Sequence, residues 1–172
     1  MRGVQVGEVV KGIEQNPIGV GDRAPDFDLP MLISGVKKRY HLREALEARS
    51  VVLAFYPHNW DPQTARQLTE YQAARGEFGT RAAEVVGISV DSIMNTTAWE
   101  REIGPLEFPI CADFWPHGAV SRGYGVFRET GAERGSCERA LVVVARTGEI
   151  AFRKTYAEPP TLAETLAALA AA

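Results

Sequence analysis

The chain contains little cysteine and little histidine. Its 172 residues include two cysteines and three histidines, and neither residue type clusters at the spacing that metal ligands require. A small secreted protein held together by disulfides would carry more cysteine than this. We therefore expect no disulfide framework, no metal site and no cofactor.

Long apolar runs and an excess of positive charge are also missing. No run is long enough to span a bilayer, and residues 1–16 lack the apolar core and cleavage site of a signal peptide. The formal net charge of -3 offers no basic surface to nucleic acid. These absences predict a cytoplasmic protein that binds neither membranes nor nucleic acid.

Strand and helix patterns alternate along most of the sequence. After a weakly patterned arm over 1–20, continuous apolar runs predict buried strands over 50–56, 83–90 and 139–145. Shorter segments complete the pattern: strands over 26–30, 36–40, 108–111 and 149–155, and helices over 42–48, 96–103, 117–124 and 161–171. The order predicts one α/β domain over 21–172 with a thioredoxin-like fold, in which helices flank a central mixed sheet that carries an N-terminal hairpin.

A helix with a strong start signal follows the first buried strand. Asp61 suits the N-cap, and Pro62 suits the first helical position, where no amide donor is needed. Apolar residues then recur at helical spacing, namely Leu68, Tyr71, Ala74 and Phe78. In such sheets the functional groups collect at the carboxyl ends of the central strands. We therefore expect the site between Pro57 and Thr64.

Several stretches together carry a family resemblance. They are Val20–Phe27, Phe55–Pro57, Phe108–Pro109, Asp113–Val120 and Tyr124–Phe127. These stretches resemble the peroxiredoxin (AhpC/TSA) family, and the last three resemble its one-cysteine bacterial alkyl hydroperoxide reductase E type. The resemblance runs from about Val20 to the C-terminus. It implies the peroxiredoxin variant of the thioredoxin-like fold.

The active-site motif of that family is Pro-x-x-x-Thr-x-x-Cys, with an acid three residues later and a distant arginine. Aligned without a gap, Pro57 and Arg139 match the motif. Asp61 stands at the threonine position, Thr64 at the position of the peroxidatic cysteine and Gln67 at the acid position. Threonine oxygen lacks the reversible oxidation steps of sulfur. The resemblance thus implies divergence at three positions and a lost thiol chemistry.

This alignment also predicts a contact. As the N-cap residue, Asp61 should accept a hydrogen bond from the Thr64 amide and pair with Arg139. Asp61 would then occupy part of the substrate site that the resemblance implies. The leading hypothesis is a peroxiredoxin-like protein without thiol peroxidase turnover, retained for binding or regulation.

Three alternatives remain open at this point. A displaced redox cysteine, Cys137, lies two residues before Arg139 and would sustain a thiol peroxidase. A different reaction would use Asp61, Thr64 and Arg139, with His58 as a possible base. A binding module would hold a small acid against Arg139 as its counter-charge.

The aromatic residues between Phe114 and Phe127 either line a ligand pocket or form an interface. They are Phe114, Trp115, Tyr124 and Phe127. The resemblance implies a dimer contact here, so we predict a homodimer through the Phe114–Phe127 region. We expect Cys111 in the core and Cys137 in a polar loop over 135–138.

Overall fold

A mixed sheet forms the centre of the computed structural model, which describes residues 17–172. The described strands are β1 Asp28–Ile33, β2 Val36–His41, β3 Ser50–Phe55, β4 Ala83–Ser89, β5 Ile110–Ala112, β6 Arg139–Val144 and β7 Ile150–Tyr156. Their order across the sheet is β2-β1-β5-β4-β3-β6-β7. The pairs β3–β4 and β4–β5 are parallel, and the other pairs are antiparallel. The predicted mixed sheet is confirmed, while most of the arm predicted over 1–20 lies outside the described residues.

The helices are close to the predicted ones with one difference. They are α1 Leu42–Ala48, α2 Pro62–Ala73, α3 Arg75–Thr80, α4 Ile93–Ile103, α5 Ala119–Gly123 and α6 Leu162–Leu169. The single helix predicted from Asp61 to Phe78 is wrong, because the backbone leaves helical geometry at Ala74 (φ -94°, ψ 10°). Gly76 and Gly79 follow at once, and glycine is a poor helix former. The segment therefore forms two helices instead of one.

The N-terminal hairpin joins β1 to β2 through a tight turn. Ser34 and Gly35 have φ values of 50° and 73°. Two successive positive φ values match the type I′ turn that fits the twist of paired strands. The hairpin predicted from Ser34-Gly35 is confirmed.

The central strands are buried on both faces of the sheet. In β3, Val51, Leu53 and Phe55 belong to one core cluster, and the intervening Val52 and Ala54 belong to the other. Apolar residues on both faces explain the continuous apolar run, because neither side of the strand meets water. Burial of this kind stabilises each large side chain by about 1.5–3 kcal/mol.

The two outermost strands of the described sheet carry basic side chains. β2 contains Lys37, Lys38 and Arg39, all exposed, and β7 contains Arg153 and Lys154. Charged residues on an edge strand are a common means of discouraging further strand pairing. Within residues 17–172, no helix is both long enough and apolar enough to cross a membrane.

Pairing of β3 with β6 positions the expected site. Phe55, the last residue of β3, pairs with Ala140 of the antiparallel β6. Arg139, the first residue of β6, therefore lies at the end of the sheet where β3 stops and the chain turns toward α2. The fold brings Arg139 to the first turn of α2 although more than 70 residues separate the two in the sequence.

Candidate functional site

Asp61, Thr64 and Arg139 form a closed triangle of polar contacts. The Thr64 hydroxyl donates to Asp61 Oδ2 at 2.8 Å, and Arg139 Nη1 donates to Thr64 Oγ1 at 2.9 Å. Arg139 Nη2 closes the triangle with an ion pair to Asp61 Oδ2. The structure thus contains the predicted contact between Asp61 and Arg139.

Asp61 also caps helix α2. Its carboxylate accepts hydrogen bonds from the amides of Gln63 (3.1 Å) and Thr64 (3.3 Å), and Pro62 occupies the first helical turn. Such caps satisfy amides that have no partner inside the helix and contribute about 1 kcal/mol. The carboxylate therefore serves the helix start and the arginine at once.

Because the site is buried, the three side chains depend on one another for polar partners. Arg139 is 7% exposed and Thr64 is fully buried. A buried guanidinium requires a compensating charge, because its hydration is lost. Partial burial raises the pKa of Asp61, but hydrogen bonds from Thr64, Arg139 and the Gln63 amide outweigh it and leave the pKa below its ordinary value. Asp61 is therefore ionised near neutral pH.

A buried asparagine fixes the loop that presents Asp61. Asn59 is 4% exposed; its side-chain oxygen accepts from the Tyr56 hydroxyl at 2.8 Å. Its amide nitrogen donates to Asn95 and to Thr96, each at 3.0 Å, and its backbone amide donates to Asp91 at 2.8 Å. Asn59 could not be identified from the sequence, since a lone loop asparagine gives no signal of partners more than 30 residues away.

The residue after Asn59 has an unusual backbone conformation. Trp60 has a φ of 68°, which is uncommon for a bulky residue. Its ring is half exposed and donates to Asn95 at 3.1 Å. The turn places Trp60 outside and Asp61 inside, so the direction of the Asp61 carboxylate is set by the loop.

Pro57 and His58 occupy different surroundings. Pro57 is buried directly after β3. The His58 side chain is half exposed and lies 3.3 Å from Glu133, which also accepts from Arg128 at 2.9 Å. His58 is thus directed at Glu133 and not at Thr64, so the geometry does not support His58 as a general base for the threonine.

Gln67 supports a contact that Tyr71 makes between α2 and the C-terminal helix. It is 5% exposed and donates to the Tyr71 hydroxyl at 3.0 Å. Tyr71 lies 2.8 Å from the hydroxyl of Thr165 on α6. At this position an amide makes a neutral buried link, which avoids the cost of burying a carboxylate.

Both cysteines lie in the core. Cys137 lies in the loop between α5 and β6, as predicted. The loop position does not leave it at the surface, because the side chain is fully buried and its thiol donates to the Tyr56 carbonyl at 2.9 Å. Burial, followed by the charge of Asp113, raises the pKa of Cys137 to about 12. Burial likewise raises the pKa of Cys111 well above its usual value, and the expected core position of Cys111 is confirmed. Neither thiol favours the reactive thiolate.

The aromatic region contains two exposed side chains, one partly buried side chain and one fully buried side chain. Phe114 and Trp115 are 53% and 69% exposed. Tyr124 is fully buried and donates to the Pro25 carbonyl at 2.7 Å, while the Phe127 ring lies 3.8 Å from the guanidinium carbon of a neighbouring arginine. The prediction that Tyr124 belongs to a surface contact is therefore wrong. Among residues 17–172, no three His, Cys, Asp or Glu side chains group as metal ligands would.

Comparison with known proteins agrees with this fold. A sequence profile of the AhpC/TSA family matches residues 20–153. Alkyl hydroperoxide reductase E of Mycobacterium tuberculosis is 34% identical over 135 residues, which covers 78% of this chain and 84% of that protein. Putative peroxiredoxin YkuU of Bacillus subtilis is 30% identical over 145 residues, covering 80% and 78%.

Solved structures show the same architecture. Mycobacterium tuberculosis AhpC superposes with a TM-score of 0.79 at 23% identity, covering 91% of this chain and 93% of that one. Reduced 2-Cys peroxiredoxin of Plasmodium vivax gives a TM-score of 0.81 at 22% identity, covering 90% and 81%. The profile match over most of the sequence and the 34% identity to alkyl hydroperoxide reductase E establish that the chain belongs to the AhpC/TSA family.

Proposed function

We propose that this chain is a peroxiredoxin-like protein that lacks the peroxidatic cysteine, has no thiol peroxidase turnover and is retained for binding or regulation. One observation carries the proposal. The side chain that meets Arg139 at the start of α2 is a threonine hydroxyl, already bonded to the Asp61 carboxylate.

The chemistry of the two side chains separates this protein from a thiol peroxidase. A thiolate attacks a peroxide oxygen, the O–O bond breaks, an alcohol or water leaves, and sulfur keeps one oxygen as a sulfenic acid that a thiol reduces. A threonine hydroxyl is too weak an acid to ionise here and forms no comparable reducible product. Thr64 therefore supports hydrogen bonding at this position and not peroxide reduction.

Asp61 reinforces the same conclusion. Its carboxylate takes the guanidinium of Arg139 and the hydroxyl and amide of Thr64 as donors. A peroxide or a small acid that needed these donors would have to displace a charged partner from a site where Arg139 is nearly buried. The alternative ligand, a small acid at Arg139, is thus opposed by an internal carboxylate.

The competing function is a thiol-dependent peroxidase that uses Cys137. Its buried sulfur and raised pKa argue against that role. A homodimer through the Phe114–Phe127 region remains part of the proposal, now supported by the exposure of Phe114 and Trp115, since large exposed aromatics are typical of interfaces. The cytoplasmic location stays a prediction from the sequence.

Peroxide consumption tests the proposed function directly. The purified chain is mixed with hydrogen peroxide or cumene hydroperoxide under a thiol reductant, and Cys137→Ser serves as the matched control. We expect no consumption above the buffer rate and no oxygen added to Cys137 by mass spectrometry. Consumption by the wild type that disappears in Cys137→Ser would establish the competing function.

A further inference from the structure

A cavity lies at the opposite end of the sheet from Asp61. Its volume is about 460 Å³, and its wall includes α3, the start of β4, Ile33 at the end of β1 and the segment 107–109. Ser50 and Ala83 pair at the start of the parallel strands β3 and β4, and β3 spans about 20 Å. Cavities of this size hold small molecules in other proteins.

The cavity has an apolar lining and a neutral rim. Phe78, Val85 and Phe108 are nearly buried and contribute to the lining. The charged lining residues form two ion pairs: Arg49 with Glu84 at 3.5 Å, and Arg75 with Glu107. Because these four charges cancel in pairs, the cavity favours an uncharged occupant over an ion.

Two glycines in α3 open the wall of this cavity. Gly76 and Gly79 both line it and are three residues apart, so they lie on the same side of the helix. Apart from the adjacent residues and the backbone of α3 itself, no atom of the described residues lies within 4 Å of where a Cβ would stand on either glycine. Neither glycine has a φ in the left-handed region. Internal packing and backbone strain therefore do not require glycine here, although glycine weakens a helix.

We propose that this cavity binds a small, uncharged, predominantly apolar molecule that lies against the bare backbone of Gly76 and Gly79. The open space beside the two glycines, the carbon-rich lining and the neutral rim all fit such a ligand. The site is separate from Asp61, Thr64 and Arg139 and does not depend on whether the chain reduces peroxides.

A titration with N-phenyl-1-naphthylamine, an uncharged fluorescent probe, tests this site in the whole chain. We expect saturable binding to the wild type. Gly76→Ala with Gly79→Ala should weaken it about tenfold, because two added methyl groups enter the ligand space. The same double variant should melt about 2–6 °C higher, because alanine favours the helix. Thr80→Ala is the matched control in α3, and it should leave binding unchanged.

An affinity that falls while the melting temperature rises distinguishes the loss of a ligand site from a general loss of folding. Absence of saturable binding to the wild type, or unchanged affinity in the glycine double variant, would overturn the proposal. If that variant folds poorly, Ile33→Phe fills the cavity from the opposite wall and must weaken binding as well. A sedimentation experiment in which the glycine variant changes only the oligomeric state would identify the surface as a contact between copies of the chain instead.

Discussion

Replacing Asp61 removes two interactions, and both of them stabilise the folded chain. Asp61→Ala deletes the cap of α2, a loss of about 1 kcal/mol. It also leaves the guanidinium of Arg139 buried without a partner, a change that costs about 3–5 kcal/mol in fully buried pairs. The Asp61 side chain is 26% exposed, so solvent reduces the second contribution. We expect Asp61→Ala to lower the free energy of unfolding by about 2–4 kcal/mol.

Asp61→Asn separates the two contributions. Asparagine caps helices about as well as aspartate but carries no charge. It should therefore lose about 1 kcal/mol less than the alanine variant. Urea unfolding followed by circular dichroism at neutral pH measures both changes. If both variants fall within about 0.5 kcal/mol of the wild type, the ion pair with Arg139 contributes nothing and this account of the site is wrong.

The pH dependence of folding stability provides a second test of the contribution of Asp61. The pKa of Asp61 is lower in the folded chain than its ordinary value of 3.8. Its contribution is therefore complete above about pH 4 and is lost as the pH falls through the folded pKa. We expect the stability difference between the wild type and Asp61→Asn to be constant near neutral pH and to narrow in acid. A difference that widens on acidification would contradict the lowered pKa.

Other substitutions test the remaining parts of the site. Thr64→Cys alone should react slowly with peroxide beside the Asp61 carboxylate. Adding Asp61→Thr should lower the thiol pKa and speed sulfenic acid formation by about threefold for each unit of that fall, because the larger thiolate fraction is partly offset by a weaker nucleophile; equal rates would contradict this role of Asp61. Cys137 should resist a thiol-labelling reagent until the chain unfolds, and labelling at the rate of a free thiol would refute its burial. Asn59→Ala should lower the unfolding free energy by about 1–3 kcal/mol, because its buried partners lose their bonds; an unchanged urea midpoint would show that they find others.

The sequence correctly predicted the elements whose conformation is determined by interactions between neighbouring residues. The apolar run of β3 required burial on both faces, and Asp61 followed by Pro62 marked the start of α2. The turn at Ser34-Gly35 was equally readable, since it needs only two residues that accept a positive φ. In each case the deciding interactions lie within a few residues of one another.

Contacts between residues far apart in the sequence could not be predicted from local signals. The burial of Cys137 depends on an acceptor, the Tyr56 carbonyl, that lies 81 residues away. Asn59 likewise finds its partners on α4. The contact between Asp61 and Arg139 was predicted only because a family resemblance supplied the long-range alignment. Helical periodicity alone also missed the break at Ala74, because the apolar residues continue in phase across it.

The basic residues on the outer strands limit how two copies of this chain can meet. If two β7 strands paired antiparallel about their midpoint, Arg153 would face Arg153, and like charges directly opposite one another destabilise a sheet. On β2, the run Lys37–Arg39 would oppose its own copy in the same way. Pairing of two copies through β2 or through β7 is therefore disfavoured, although it would join their seven-stranded sheets into one sheet of fourteen strands. A symmetric pair should instead meet through surfaces other than the edges of β2 and β7.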